Sequence, residues 1–158
     1  MTKEHRKILS PEHIEKIKDA TYAGKNILII GGVNSGKSTL LREIAETIPN
    51  NIIHLHNYEE YKIKKGNVQH LVYIEENAKG IMQNISRMGG ETYTLIEELP
   101  HTSEAFQNSL GTFMGINGYC IAVTHGNLES HYIGRDLPID IIIEVKDYKI
   151  ERMVEQNG

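Results

Sequence analysis

Apolar and polar positions along the chain switch period in a regular way. Ser10 precedes Pro11, a serine N-cap followed by proline at the first helical position, and Ile14, Ile17 and Ala20 recur at helical spacing. This predicts a helix that stops at Gly24. Asn26 to Ile30 (NILII) is a short continuous apolar run, the mark of a buried strand. Residues 31–36 (GGVNSG) then form a glycine-rich turn. From Lys37 the period becomes helical again, with Leu40, Leu41, Ile44 and Ile48 on one face before Pro49 ends the helix.

Further along, residues 51–56 (NIIHLH), 93–96 (YTLI) and 119–123 (YCIAV) predict interior strands, with helices near 77–88 and 103–113. Strands alternating with helices in this way imply an α/β fold, a mostly parallel sheet covered by helices on both faces. Residues 139–145 and 149–154, separated by a short Lys-Asp-Tyr turn, predict a closing antiparallel hairpin at one edge. Neither a repeat nor a Pro/Gly/Ser-rich linker divides the sequence, so residues 1–158 are expected to form a single domain.

Composition narrows the class. At 39% hydrophobic and 24% charged residues the chain is an ordinary globular one and not a disordered one. The formal charge of −4 carries no basic excess, so nothing in it advertises a nucleic acid or an acidic membrane as partner. Cys120 is the lone cysteine, no apolar stretch is long enough to span a bilayer, and the N-terminal residues are too polar for a secretory signal. A cytoplasmic location is the default expectation.

The chemistry concentrates at GGVNSGKST. Gly31, four residues, then Gly36, Lys37 and Ser38 give the P-loop spacing, placed between a predicted strand and a predicted helix. Glycines let the backbone of Gly31, Gly32, Val33, Asn34, Ser35 and Gly36 curl until several N–H groups point inward at phosphates. The helix from Lys37 adds the positive end of its dipole. Lys37, expected as a charge on the loop surface and outside the core, would neutralise the β and γ phosphates; Ser38, followed by Thr39, would ligate Mg²⁺. ATP with Mg²⁺ is the cofactor set this implies. The guanine-reading Asn-Lys-x-Asp pattern is absent, which favours ATP mildly over GTP.

Hydrolysis needs a carboxylate at the end of a neighbouring strand. Glu97 and Glu98 follow the apolar run 93–96, where open α/β sheets place their ligands, and suit a Walker B pair with Glu97 as a metal group. The plainer alternative is a solvated acidic loop before Pro100. His125 follows the strand 119–123 at the next carboxyl edge and is a candidate γ-phosphate contact; a surface histidine is the equal alternative. His54 and His56 have the i, i+2 spacing of a metal pair, but no third ligand of the usual kind is evident nearby. Lys62, Lys64 and Lys65 read as a solvated loop.

Taken in order, these segments resemble the C-terminal RecA-like domain of the type II/type IV secretion and conjugation traffic ATPases. GKNILIIGGVNSGKSTLLREIAETIP is similar to that family's strand, Walker A loop and helix. ISRMGGETYTLIEELPHTSEAF is similar to its Leu-Arg stretch, strand and Walker B glutamate, and GINGYCIAVTHGN to the strand ending in its His box. The resemblance implies Lys37 and Ser38 as phosphate and Mg²⁺ groups, Glu98 as the Walker B glutamate, His125 as the His-box residue and Arg87 as the arginine of the Leu-Arg segment. It also implies a ring of six subunits and a secretion or conjugation partner. The departures are specific. Where the family's Asp box has a Glu-Asp pair, HLHNYEEY has His56 and Asn57 and keeps only Glu60. Pro100 and Gly89 stand where arginines are usual, and the resemblance leads one to expect an N-terminal domain that residues 1–158 do not supply.

Three readings follow. The first is a small ATPase that turns over slowly alone and needs an oligomer or partner to complete its site. The second is a nucleotide-binding switch or regulatory subunit with little turnover. The third, a small-molecule kinase, normally needs an arginine-rich lid, and Arg6, Arg42, Arg87, Arg135 and Arg152 are scattered.

Overall fold

The computed structural model describes residues 8–49, 51–56, 68–72, 92–97, 118–125 and 138–156. In chain order the described elements are α1 (Pro11–Tyr22), β1 (Ile27–Gly31), α2 (Lys37–Thr47), β2 (Ile52–His56), β3 (Val68–Val72), β4 (Tyr93–Ile96), β5 (Cys120–His125), β6 (Ile141–Lys146) and β7 (Lys149–Glu155). The described strands form one seven-stranded sheet in the order β3-β2-β4-β5-β1-β6-β7. Every neighbouring pair is parallel except β6 with β7, the antiparallel hairpin at the edge. The α/β class, the mostly parallel sheet and the closing hairpin are therefore as the sequence predicts. β3 is an addition, and the helices expected near 77–88 and 103–113 lie outside the described residues.

Local chemistry explains the elements. Ser10 caps α1, its hydroxyl accepting from the N–H of His13 at 3.2 Å, and Pro11 sits where no intrahelical donor is needed. The apolar stripe of α1 delivers Ile17 and Ala20 to the core, and that of α2 delivers Leu40, Leu41, Ile44 and Ala45. They pack on one sheet face, with Ile27 and Ile29, Leu95, Ile121 and Val123, and Ile141 and Ile143. The opposite face, including Leu28, Ile30, Ile96 and Ala122, is buried as well, as parallel strands require. Each isoleucine fully removed from water contributes roughly 1.5–3 kcal/mol.

Asn26 fixes the start of β1 between its neighbours. Its side-chain oxygen accepts from the N–H of Cys120 at 3.2 Å, its amide nitrogen donates to the Pro138 carbonyl at 3.0 Å, and its own N–H donates to Asp140 at 2.8 Å. With β1 so registered, Gly31 lies level with His125 on β5 and with Val145 on β6. The carboxyl ends of the parallel strands then share one edge of the sheet. The turn from β1 into α2 sits on that edge.

Candidate functional site

The loop between β1 and α2 is shaped by two close approaches. A Cβ on Gly31 would strike the Ser35 hydroxyl and come within 2.8 Å of the Val145 carbonyl. Gly36 has φ +103°, a region L side chains rarely adopt, and a Cβ there would lie 2.9 Å from the Tyr148 ring and 3.1 Å from Ile8. Asn34 at the tip also has positive φ, and Gly32, Val33 and Asn34 are exposed. Gly36 is the N-cap of α2 and brings no side chain to it. The N–H groups of the first helical turn, with the positive end of the dipole, are thus left without a capping side chain.

Lys37 opens α2, and here the structure corrects the sequence reading. It is a buried residue, 9% exposed, and not a charge on the loop surface. The reason is that α2 begins at Lys37 itself, so its stem belongs to a first turn that is sunk into the fold together with Ser35 and Gly36. Among the described residues no hydrogen bond or ion pair engages its ammonium. The Ser35 hydroxyl, two residues earlier, is also buried without a partner among them.

Ser38 is next. Its hydroxyl donates to one oxygen of Glu97 at 3.2 Å. Glu97 follows β4 on the face that carries α2, extending the Tyr93, Leu95 side of the strand, and its N–H continues the ladder to the Leu55 carbonyl at 3.0 Å. Its other oxygen lies 3.2 Å from Nε2 of His54 on β2, and both side chains are fully buried. The structure therefore brings Ser38, Glu97 and His54 into one chain of polar contacts. His54 in this position is not evident from the sequence, where only its spacing to His56 draws notice; the signal is a polar residue inside an otherwise apolar strand. Among the described residues no group of three His, Cys, Asp or Glu side chains is placed to hold a metal.

His125 ends β5 level with Gly31 and is exposed. It lines a cleft of about 490 Å³ with Gly31, Ser35, Glu144, Asp147 and Arg152 among others, a size within the roughly 300–1,000 Å³ of ligand pockets. The cleft adjoins the loop on the side of the β6–β7 hairpin, and Lys37, Ser38 and Glu97 are not part of its wall. Within it Arg152 Nε donates to Glu144 at 2.9 Å. Glu98, Glu60 and Arg87 lie outside the described residues, and Thr39 is the half-buried third residue of α2.

A parallel α/β sheet with a glycine loop running from a central strand into a helix is the P-loop NTPase fold. The chain belongs to the family described as "Uncharacterised conserved protein UCP018868", which matches residues 4–101. No curated protein matches it. Among solved structures it is similar to the VirB11 ATPase of the Brucella suis type IV secretion system, in complex with sulphate, with TM-score 0.68 and 20% identity over 92% of this chain and 54% of that one. It is also similar to the Legionella pneumophila ATPase DotB, with TM-score 0.58 and 17% identity over 88% and 44% of the two chains. The third is the assembled ATPase EscN of the enteropathogenic E. coli type III secretion system, with TM-score 0.52 and 16% identity over 78% and 43%. These likenesses concern the fold, and the chain spans about half the length of each of these proteins.

Proposed function

We propose that this chain is an ATP-binding P-loop NTPase that hydrolyses ATP slowly with Mg²⁺, a reduced relative of the secretion and conjugation motor ATPases. Lys37 is the observation that carries the reading. As a residue it is 9% exposed with no partner among the described residues, so its charge is partly withdrawn from water and gains from a counter-charge that arrives with a ligand. It stands at an uncapped helix N-terminus beside a glycine loop, where N–H groups and dipole favour the same anion. Backbone N–H groups of residues 31–39 would bind and orient the phosphates, with Lys37 neutralising their charge.

The donor set fits a divalent cation. A serine hydroxyl and a carboxylate 3.2 Å apart are hard oxygen donors of the kind Mg²⁺ takes. When bound, Mg²⁺ draws charge from the phosphate oxygens. Ser38 would present its lone pairs to the cation while its O–H goes on donating to Glu97, and Glu97 would hold Ser38 and the water shell in place. Glu98 is the proposed general base, with Glu60 in support and His125 as a γ-phosphate contact. In this reading residues 1–158 act as one nucleotide-binding unit in the cytoplasm. The unit works as a homo-oligomer, a hexamer by analogy, or with a secretion-machinery partner.

Calorimetry with Mg-ATP and a turnover assay at rising protein concentration test this together. Saturable binding, with a specific rate that climbs with concentration, is expected; absence of any binding overturns the assignment. A second reading, a nucleotide-binding switch with little turnover, is favoured by the arginines. Arg152, the described arginine in the cleft beside the loop, is engaged by Glu144 at 2.9 Å and does not stand ready for a phosphoryl-transfer charge. Binding with a concentration-independent rate near zero selects that reading.

A further inference from the structure

We infer that His54 is a positioning residue for the Glu97 carboxylate, and through it sets how strongly a divalent cation is held beside Ser38. The inference rests on the nucleotide reading above and deepens it.

The geometry begins with strand order. β2 lies next to β4, and His54 is registered opposite Leu95. Glu97, two residues beyond Leu95, falls on the same face one ladder step further, which is within diagonal reach of a long side chain. The contact closes at 3.2 Å from Nε2 to Oε1, while the Ser38 hydroxyl holds Oε2 at 3.2 Å. Two elements, a strand and a helix N-terminus, thus hold the two oxygens of one carboxylate from different directions. One orientation of the carboxyl plane meets both, so its terminal torsion is fixed. An ionised carboxylate only accepts, so the ring nitrogen facing it carries the proton.

An apolar side chain would serve packing better at position 54. The strand is otherwise Ile52, Ile53 and Leu55, all buried, and His54 itself has no exposed surface. A buried imidazole is retained at a desolvation cost that only its polar contacts offset. Groups that hold a metal-binding carboxylate or imidazole in orientation are commonly worth about 10- to 100-fold in metal affinity.

The test reads Mg²⁺ dependence and not activity alone. ATP affinity is measured by calorimetry with Mg²⁺ and with EDTA for the wild type, His54→Leu, His54→Gln and Glu97→Gln. For His54→Leu the gain in affinity on adding Mg²⁺ should fall about tenfold or more, with affinity in EDTA unchanged within about twofold. His54→Gln, whose amide nitrogen reaches the same place, should restore the gain. On a Glu97→Gln background His54→Leu should add nothing further. His54→Asn, polar but too short to reach Glu97, replaces His54→Leu if thermal unfolding shows that the leucine costs the fold. A Mg²⁺ gain kept within twofold in the folded variant, or a full additional loss on the Glu97→Gln background, overturns the role of His54 alone. A wild type that binds no ATP overturns the nucleotide reading and this inference with it.

Discussion

Replacing Lys37 with methionine separates the demands of folding from those of binding. Methionine keeps an unbranched stem of similar length but removes the ammonium, and the site gives that ammonium no partner among the described residues at 9% exposure. An effective penalty of several kcal/mol per buried ion, reduced because the group retains some contact with water, leaves a gain of about 1–2 kcal/mol for the ligand-free variant. For a chain of this size that raises Tm by roughly 2–4 °C per kcal/mol. Alanine would confuse the test, because a truncated stem at a buried position leaves a cavity. Binding moves the other way. Loss of a charge-assisted bond to phosphate costs about 1.5–3 kcal/mol, roughly 10- to 150-fold in affinity. At an ATP concentration a hundredfold above the wild-type Kd, the ligand stabilises the wild type by about 2.7 kcal/mol and the variant by about 1.4 kcal/mol or less. Urea denaturation with and without Mg-ATP measures both terms. A ligand-free variant less stable than wild type by more than about 1 kcal/mol, or equal stabilisation of both proteins by ATP, refutes the reasoning.

Other perturbations follow from the same geometry. Gly36→Ala should cost about 1–3 kcal/mol from its positive φ and from contacts at 2.9 and 3.1 Å, whereas Gly32→Ala, with no atom within 4 Å of the new Cβ, should stay within about 0.5 kcal/mol in the same denaturation assay. Asn26→Ala should cost about 2–4 kcal/mol, since it strips partners from the Cys120 N–H and the Pro138 carbonyl. Burial pushes the Cys120 thiol and the Tyr93 phenol well above their ordinary values of 9.0 and 10.0. Folding therefore holds protons that the unfolded chain releases. Stability should be intact below pH 9 and fall above it, by up to about 1.4 kcal/mol per pH unit for each group, as denaturant titration at pH 8, 9 and 10 would show. By the same cause Cys120 should react with a thiol reagent only as fast as the chain opens.

What the sequence conveys depends on how local the physics is. Ser10 with Pro11, the run NILII and the run YTLI are settled within a few residues, so α1, β1 and β4 are legible to within a residue or two. β3 is not, because VQHLV is a half-polar strand at the sheet edge that follows a lysine-rich stretch, and it lacks the continuous apolar run of an interior strand. The depth of Lys37 is also illegible, since loop spacing specifies the kind of partner and not how far the helix start is sunk. The His54–Glu97 contact spans 43 residues and depends on β2 lying between β3 and β4. Chain order alone suggests β3 as the strand between them.

Glycine spacing by itself also does not account for a loop of fixed shape, because the same freedom that allows the curl permits others. The neighbours supply the constraint. The turn of the β6–β7 hairpin consists of Asp147 and Tyr148, both at positive φ, a conformation that suits a two-residue hairpin but costs a non-glycine residue about 1–3 kcal/mol. That cost is offset where the turn meets the loop: the Tyr148 N–H donates to the Ser35 carbonyl at 2.7 Å, and its ring closes over Gly36. On the other side Glu43 of α2 accepts from the N–H groups of Ile8 and Leu9 at 3.0–3.1 Å, which brings Ile8 against the same glycine. The loop is therefore held between a strained hairpin turn and the segment before α1, neither of which belongs to the motif. Donors fixed in this way need no reordering when an anion arrives, so the binding energy of each N–H is not consumed in shaping the loop.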